Sequence, residues 1–359
     1  MGTVVPQHWR LPISTLMNGH RTIPEEANVY QSVSDCHDSI LPVFDSVRDF
    51  FFQDIDYYYI IRLVPIWIAE CGISPESGIS KDQYEKFREA YQDPLVNRLI
   101  HWFDVEFLLN SLMDRICSIG FFVREFFKIV PCIPAALTYN IDSARFTMSE
   151  RSMFAYAMVN SVFVNLASAF DLMSKVAIEL AEYEENNFVT YKKMRSADTI
   201  YKPTLNVWNE LKADNNLFHS NSDVMLIETL RNDYVHDRSW CCRAPIYFPR
   251  DKDFNLLAPF MPIPDDDGRG NYQKSGTRRK FYSQGKMVNQ ILPQLVVNVL
   301  NVLQNTSKTM CEACRARIDQ TKDKTVLTSA LIKKLNTGLQ NYMSEMTRYA
   351  SVSNMVKEA

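Results

Sequence analysis

Apolar positions recur at three- and four-residue steps through most of the chain, in stretches separated by proline and glycine clusters. That period predicts helices. Residues 1 to about 30 are polar, with Pro6, Pro12 and Pro24, and read as a loop-like arm. Helical patterning starts near Ser34 and runs to about Gln53; Pro65 interrupts a second apolar segment, and Gly72, Pro75 and Gly78 form a breaker cluster. Lys81 to Tyr91 reads as a charged helix, and Pro94 suits the first turn of the next one. Val96 to Ile129 predicts a long helix unusually rich in aromatics (Trp102, Phe103, Phe107, Phe121, Phe122, Phe126, Phe127), closed by Pro131 and Pro134. Tyr139 to Arg145 reads as a connector. Thr147-Met-Ser-Glu150 matches a capping box, and the stripe Phe154, Met158, Val162, Leu166, Phe170, Met173 and Leu180 behind it predicts a helix over about Ser149 to Glu185.

Tyr191 to Phe218 is mixed, and Asp223 to His236 predicts a short helix with Met225, Leu226 and Leu230 on its apolar side. After Trp240 come Pro245, Pro249, Pro259, Pro262, Pro264 and Asp265-Asp-Asp-Gly268, which predict a long ordered loop or a small hairpin, with Ile246-Tyr-Phe as a short strand. Helicity resumes at Met287 with Ile291, Leu292, Leu295, Val296, Leu300 and Leu303, where Pro293 fits only the first turn or a kink. Thr325 to Thr347 spaces Leu327, Leu331, Leu335, Leu339 and Met343 by four and predicts an amphipathic helix. The expected fold is all-α. Residues 1–94 form an N-terminal helical region, 95–317 a helical core with an insertion at 241–286, and 318–359 a C-terminal helix.

Composition narrows this only in places. Ten glycines in 359 residues suit a mainly helical chain, and 21 Phe and 17 Tyr supply a large core. The net charge of −3 confines any RNA-binding surface to a local patch. That patch is the acid-free run holding Arg269, Lys274, Arg278, Arg279, Lys280 and Lys286, with Tyr272, Phe281 and Tyr282 interleaved. Basic side chains track a phosphate backbone while aromatics stack on bases; a solvated loop balanced by Asp265 to Asp267 is the competing reading. The eight cysteines are scattered (Cys36, Cys71, Cys117, Cys132, Cys241, Cys242, Cys311, Cys314). With no signal peptide read at the N-terminus, they are expected to be reduced in a cytoplasmic protein. Cys311-x-x-Cys314 has no second pair to complete a zinc site, so no metal or other cofactor is expected. The apolar run from Tyr57 to Ile73 is broken by Arg62, Pro65 and Glu70, and no membrane span is expected. Phe50 to Phe52 and Tyr57 to Tyr59 suit a buried helix or a partner surface.

The candidate chemistry lies in Leu230-Arg-Asn-Asp-Tyr-Val-His-Asp-Arg238. A neutral imidazole moves protons near neutral pH, a guanidinium fork matches phosphate oxygens, and an amide orients either. His236, Arg231 and Asn232 therefore supply what metal-free phosphodiester chemistry needs. Asn232 and His236 share a helical face, whereas Arg231 and His236, five apart, are separated by roughly 140° around a straight helix. Three arrangements would bring them together: the arginine stem swings back, the helix ends or bends, or the two groups meet across a dimer.

Arg231-Asn232, three residues and His236, behind a long helix, resemble the Arg-polar-x3-His signature of the HEPN superfamily. Those are all-helical domains, many of them metal-independent endoribonucleases. The resemblance implies a HEPN-type bundle in which His236 is general acid or base, Arg231 stabilises phosphate charge and Asn232 orients either, giving a 2′,3′-cyclic phosphate and a 5′-hydroxyl. Asp233 and Tyr234 are supporting positions within the motif. Asp171 is either a supporting carboxylate facing the site, as in relatives, or an ordinary i,i+4 ion pair with Lys175. Arg238, Arg278, Arg279 and Lys280 are the expected RNA-binding residues. The resemblance also implies a homodimer with a composite cleft and, by analogy, a toxin or antiviral defence role with an antitoxin or defence-system partner. The alternative is a non-catalytic helical module binding RNA, nucleotide or a protein. Glycine-rich phosphate loops, the Gly-x-Ser-x-Gly elbow and His-Glu-x-x-His are absent from the sequence.

Overall fold

The computed structural model describes residues 24–52, 80–90, 94–133, 139–141, 144–183, 194, 199–236, 240, 244–249, 259–276 and 279–318. The N-terminal arm up to residue 23, the Tyr57 to Ile73 run, Cys71, Cys241, Cys242, Arg238, Arg278 and the expected helix over Thr325 to Thr347 lie outside the described residues. Six α-helices dominate what is described: α1 Pro24–Phe52, α2 Lys81–Ala90, α3 Pro94–Ile129, α4 Glu150–Glu182, α5 Ser222–His236 and α6 Val288–Ile318. The mainly-α expectation holds. Pro94 opens α3, as its fixed φ favours. Pro42 and Pro293 instead lie inside α1 and α6, where each forgoes one backbone hydrogen bond.

Five short strands accompany the helices: β1 Tyr139–Ile141, β2 Ala144–Thr147, β3 Ile246–Pro249, β4 Lys274–Ser275 and β5 Arg279–Lys280. The stretch read as a connector is in fact a β1–β2 hairpin. It becomes a three-stranded antiparallel sheet when β3 pairs with β2, Phe146 opposite Tyr247 and Thr147 opposite Ile246. Ile246 and Phe248 are buried while Tyr247 between them is half-buried, the period-two signature of a one-sided strand. The expected capping box moves by two residues. Thr147 belongs to β2, and Ser149 caps α4, accepting from the Ser152 amide at 3.2 Å while the Ser152 hydroxyl accepts from the Ser149 amide at 2.8 Å.

By its internal contacts the chain divides into two units. One comprises Met1–Val43, Leu108–Glu182 and Met194–Met310; the other comprises Phe44–Phe107, Tyr183–Lys193 and Cys311–Ala359. The first is built around α4. Ala155, Val159, Val162, Phe163, Leu166, Ala169, Phe170, Met173, Val176 and Leu180 are buried there, and α5 packs against the helix. The apolar stripe does not reach Phe154, which is 52% exposed; Tyr156 takes the inward position. By length and composition α4 is also the one described helix apolar enough to cross a membrane, with 56% of its most apolar window buried inside the protein.

In the second unit Phe50, Phe51 and Phe52 are buried, which makes them core rather than a partner surface. Phe50 and Phe51 lie 4.6 and 4.8 Å from the Tyr183 ring, and Phe52 lies edge-on to Trp102 at 5.4 Å. Cys311 and Cys314 are buried here. Burial raises both thiols, although the Ser46 hydroxyl lowers that of Cys311. Burial also pushes the Glu106 carboxyl up to about 7, against the pull of Arg48.

Candidate functional site

Helix α5 begins where Asn221 accepts hydrogen bonds from the amides of Asp223 (2.9 Å) and Val224 (3.1 Å). Its start is tied to α6: Asn298 donates to Asp223 at 2.7 Å, and the Leu217 amide donates to the Thr306 hydroxyl at 2.8 Å. Val224, Ile227, Leu230 and Asp233 recur every three residues and form the buried side. Asn232 and His236 fall on the other side and are exposed, while Arg231, one and two turns after the buried Ile227 and Val224, is partly shielded.

The helix ends at His236, and the arginine stem swings along it. Arg231 Nη1 donates to Asn232 Oδ1 at 2.8 Å and lies 3.3 Å from His236 Nε2. A guanidinium only donates. The second contact is therefore a hydrogen bond only if Nε2 carries a lone pair and the imidazole proton sits on Nδ1. All three motif residues meet within one chain, so the five-residue spacing does not call for a second copy.

One turn upstream lies Glu228, a residue that the sequence reading passed over. Burial raises its carboxyl pKa, and the nearby Arg231 charge partly counters that. Burial and Glu228 together raise the Tyr201 phenol. The signal was present in the sequence, because Glu228 is three residues before Arg231 and four before Asn232 and shares their side of the helix.

Asp233 behaves differently from its neighbours. It is 3% exposed, and its carboxylate forms ion pairs with Lys280 and, at 3.6 Å, with Lys274. The register of the β4–β5 hairpin explains the double pairing. Lys274 stands directly opposite Lys280, so both side chains leave the same face, while Ser275 and Arg279 share the other. Tyr272 is buried beneath them, its ring centroid 5.4 Å from Lys274 Nζ and 5.2 Å from Lys280 Nζ. Burial, with Asp233 and Asp266 nearby, pushes the Tyr272 phenol far up.

The rest of the insertion is ordered by its own acids. The Asp265 carboxylate accepts from the Ser283 amide (2.7 Å) and hydroxyl (2.6 Å) and from the Gln284 amide (2.8 Å). Burial works to raise its pKa, but these donors and Lys286 outweigh burial and hold it low. Asp266 pairs with Lys286 and accepts from the Gly268 amide at 2.8 Å, and Asp267 accepts from the amides of Arg269 and Asn271. Gly270 has φ +91°, its carbonyl accepts from Thr229 at 3.0 Å, and a Cβ there would lie 2.7 Å from the Leu226 nitrogen. The loop thus lies directly on α5. Beyond the motif, Trp240 is buried; its indole donates to Asn160 at 2.7 Å, and its carbonyl accepts from the Tyr282 hydroxyl.

Lys280 is turned to Asp233, away from the exposed side of the hairpin that carries Arg279; Arg269 is also exposed. Tyr234 is 43% exposed at the end of α5. Asp171 pairs with Lys175 at 2.8 Å, the ordinary i,i+4 arrangement. Among the described residues, no group of three or more His, Cys, Asp or Glu side chains is placed to hold a metal ion. Comparisons with protein-family models, with curated proteins and with solved structures return no match to this chain.

Proposed function

We propose that the protein is a metal-independent endoribonuclease whose site is Arg231, Asn232 and His236. The observation that carries this reading is the solvent-accessible trio in which one arginine nitrogen reaches both the Asn232 oxygen and the His236 imidazole. An incoming phosphodiester draws the Arg231 guanidinium onto its non-bridging oxygens, a better match for the fork than an imidazole nitrogen. That transfer frees His236 Nε2. The nitrogen takes the proton of the 2′-hydroxyl, the 2′-oxygen attacks phosphorus, and the bond to the 5′-oxygen breaks; that oxygen takes a proton from water and leaves as a hydroxyl, and the imidazolium returns its proton to the hydroxide so formed. Arg231 stabilises the charge gathering on the phosphate oxygens, and Asn232 holds the guanidinium until the exchange. The products are a 2′,3′-cyclic phosphate and a 5′-hydroxyl. Exposed Arg279 and Arg269 are the cations of the insertion that track the RNA backbone. A HEPN-type bundle, a homodimer and a role in defence rest on the resemblance of the motif alone.

The test is RNA cleavage in EDTA by the full chain and by His236→Ala, with mapping of product ends. Cyclic phosphate ends from the wild type and none from a folded variant are the expected outcome. Equal cleavage by both proteins sinks the assignment, and no cleavage by either leaves a non-catalytic helical module binding RNA, nucleotide or a protein.

A further inference from the structure

Asp233 stands in the last turn of α5, three residues before His236 and two after Arg231. Sequence context alone makes this an unfavourable place for it. The carbonyl end of a helix carries partial negative charge, which repels a carboxylate, and burial adds a desolvation cost. Lys274 and Lys280 offset both, and they reach Asp233 together only because the β4–β5 register puts them on one face. Tyr272 lies under the two ammonium groups and Gly270 lies against α5. The hairpin is thus fastened to the helix turn that carries Asn232 and His236.

We propose that Asp233 is a positioning residue: the Asp233–Lys274–Lys280 knot fixes the end of α5 so that His236 Nε2 stays within reach of Arg231. The inference rests on the reading of Arg231 and His236 as the cleavage site, and goes beyond it by making the insertion part of the catalytic geometry. His236 ends its helix and is exposed. Its distance from Arg231 therefore depends on whether this last turn keeps its helical form, and the turn is held from its buried side by Asp233. A displacement of about 1 Å at a reacting group costs up to roughly a hundredfold in rate.

The experiment uses the full chain and a mixed-sequence oligoribonucleotide. Asp233→Asn and Lys280→Met are each expected to lower kcat by about ten- to a hundredfold with KM little changed. The double variant should be no worse than the poorer single, because both break one knot, and Asp233→Glu should restore most of the rate. The NMR signals of the His236 ring should move in both single variants. Arg279→Gln, on the opposite face, should raise KM instead. A KM effect without a kcat effect in the Asp233 and Lys280 variants, or additive losses, overturns the proposal. If Asp233→Asn does not fold, Lys274→Met decides, since it removes only the 3.6 Å partner: a smaller fall in kcat sustains the proposal and an unchanged kcat overturns it. If the wild type cleaves no RNA, the nuclease reading fails by itself. The His236 ring signals then decide: movement on loss of Asp233 sustains the positioning role, and unmoved signals overturn it.

Discussion

The two sides of α5 hold polar groups under opposite terms. On the open side Arg231 meets both Asn232 and His236, and these two face solvent. On the closed side Asp233 is 3% exposed and meets two lysines from a hairpin about forty residues later in the sequence. Groups on the open side are cheap in stability, because water replaces whatever contact is lost. The closed side is costly: a buried carboxylate stripped of partners is among the more destabilising single defects. Motif residues only one position apart should therefore differ in what mutation costs: activity alone on the open side, stability as well on the closed side.

The largest expected effect is on the open side. His236→Ala should reduce RNA cleavage by about 10²–10⁴-fold, the usual contribution of a general acid or base. Its unfolding free energy should stay within about 0.5 kcal/mol of the wild type, as for other exposed substitutions. Arg231→Lys should also be severely impaired, since lysine keeps the charge and loses the fork. End-labelled cleavage beside urea denaturation checks both halves. A His236 or Arg231 variant that loses activity and stability together would erase the contrast.

The closed side should lose stability as well as rate. Replacing Lys274 and Lys280 together by Met leaves Asp233 buried without a cation and should cost about 3–5 kcal/mol. Replacing Asp233 as well, by Leu, should recover much of that loss, because a buried ionic cluster exchanged for apolar groups of similar size is often nearly neutral. Failure of the triple variant to recover would mean that the hairpin is held mainly by Tyr272 and Gly270 packing.

Much of this arrangement was legible in the sequence, and the illegible parts share a cause. Breakers and helical period place α2, α3, α5 and α6 within a few residues, because those signals are local. The period of α5 also puts Asp233 on the line of Val224, Ile227 and Leu230. What cannot be read locally is which distant cation meets it. Lys280 looked like an RNA contact because its neighbours are basic and aromatic; its partner lies on another element, and pairing across that separation leaves no trace in spacing. The β1–β2 hairpin was missed because strands of three and four residues carry too few positions to show a period. Arg231 and His236 stayed open for a different reason: the reach of an arginine stem is not fixed by backbone geometry, and the structure selects the swung-back form.

A buried acid in the second unit sharpens the comparison. Glu106 has its carboxyl pushed up to about 7, chiefly by burial, with Arg48 opposing and Asp45 adding to the rise. In the unfolded chain it ionises near the ordinary glutamate value of about 4.3. Its contribution to stability is therefore fully present below that value and is lost as pH rises through about 7. The full loss is of the order of 3 kcal/mol, from the linkage between pKa shift and stability. Urea denaturation at pH 5 and pH 8 should show the wild type falling across this window and Glu106→Gln falling less. Equal slopes in the two proteins would mean that Glu106 is ionised in the fold, its Arg48 interaction outweighing burial.

Asp171 gives the smallest effect and marks the limit of the open-side argument. It pairs with Lys175 at 2.8 Å, with side chains 43% and 23% exposed, on the second half of α4. An i,i+4 pair of this kind is worth about 0.3–0.5 kcal/mol, screened further by salt. If the pair is only a surface contact, Asp171→Asn should cost no more than that and leave kcat and KM for RNA unchanged, in contrast to His236→Ala. The stability change should shrink as salt is raised from 0.05 to 0.5 M. A fall in kcat without a stability change would instead bring Asp171 into the site as a supporting carboxylate. Exposure would then not suffice to separate motif residues that act on RNA from acids that merely pair on a helix surface.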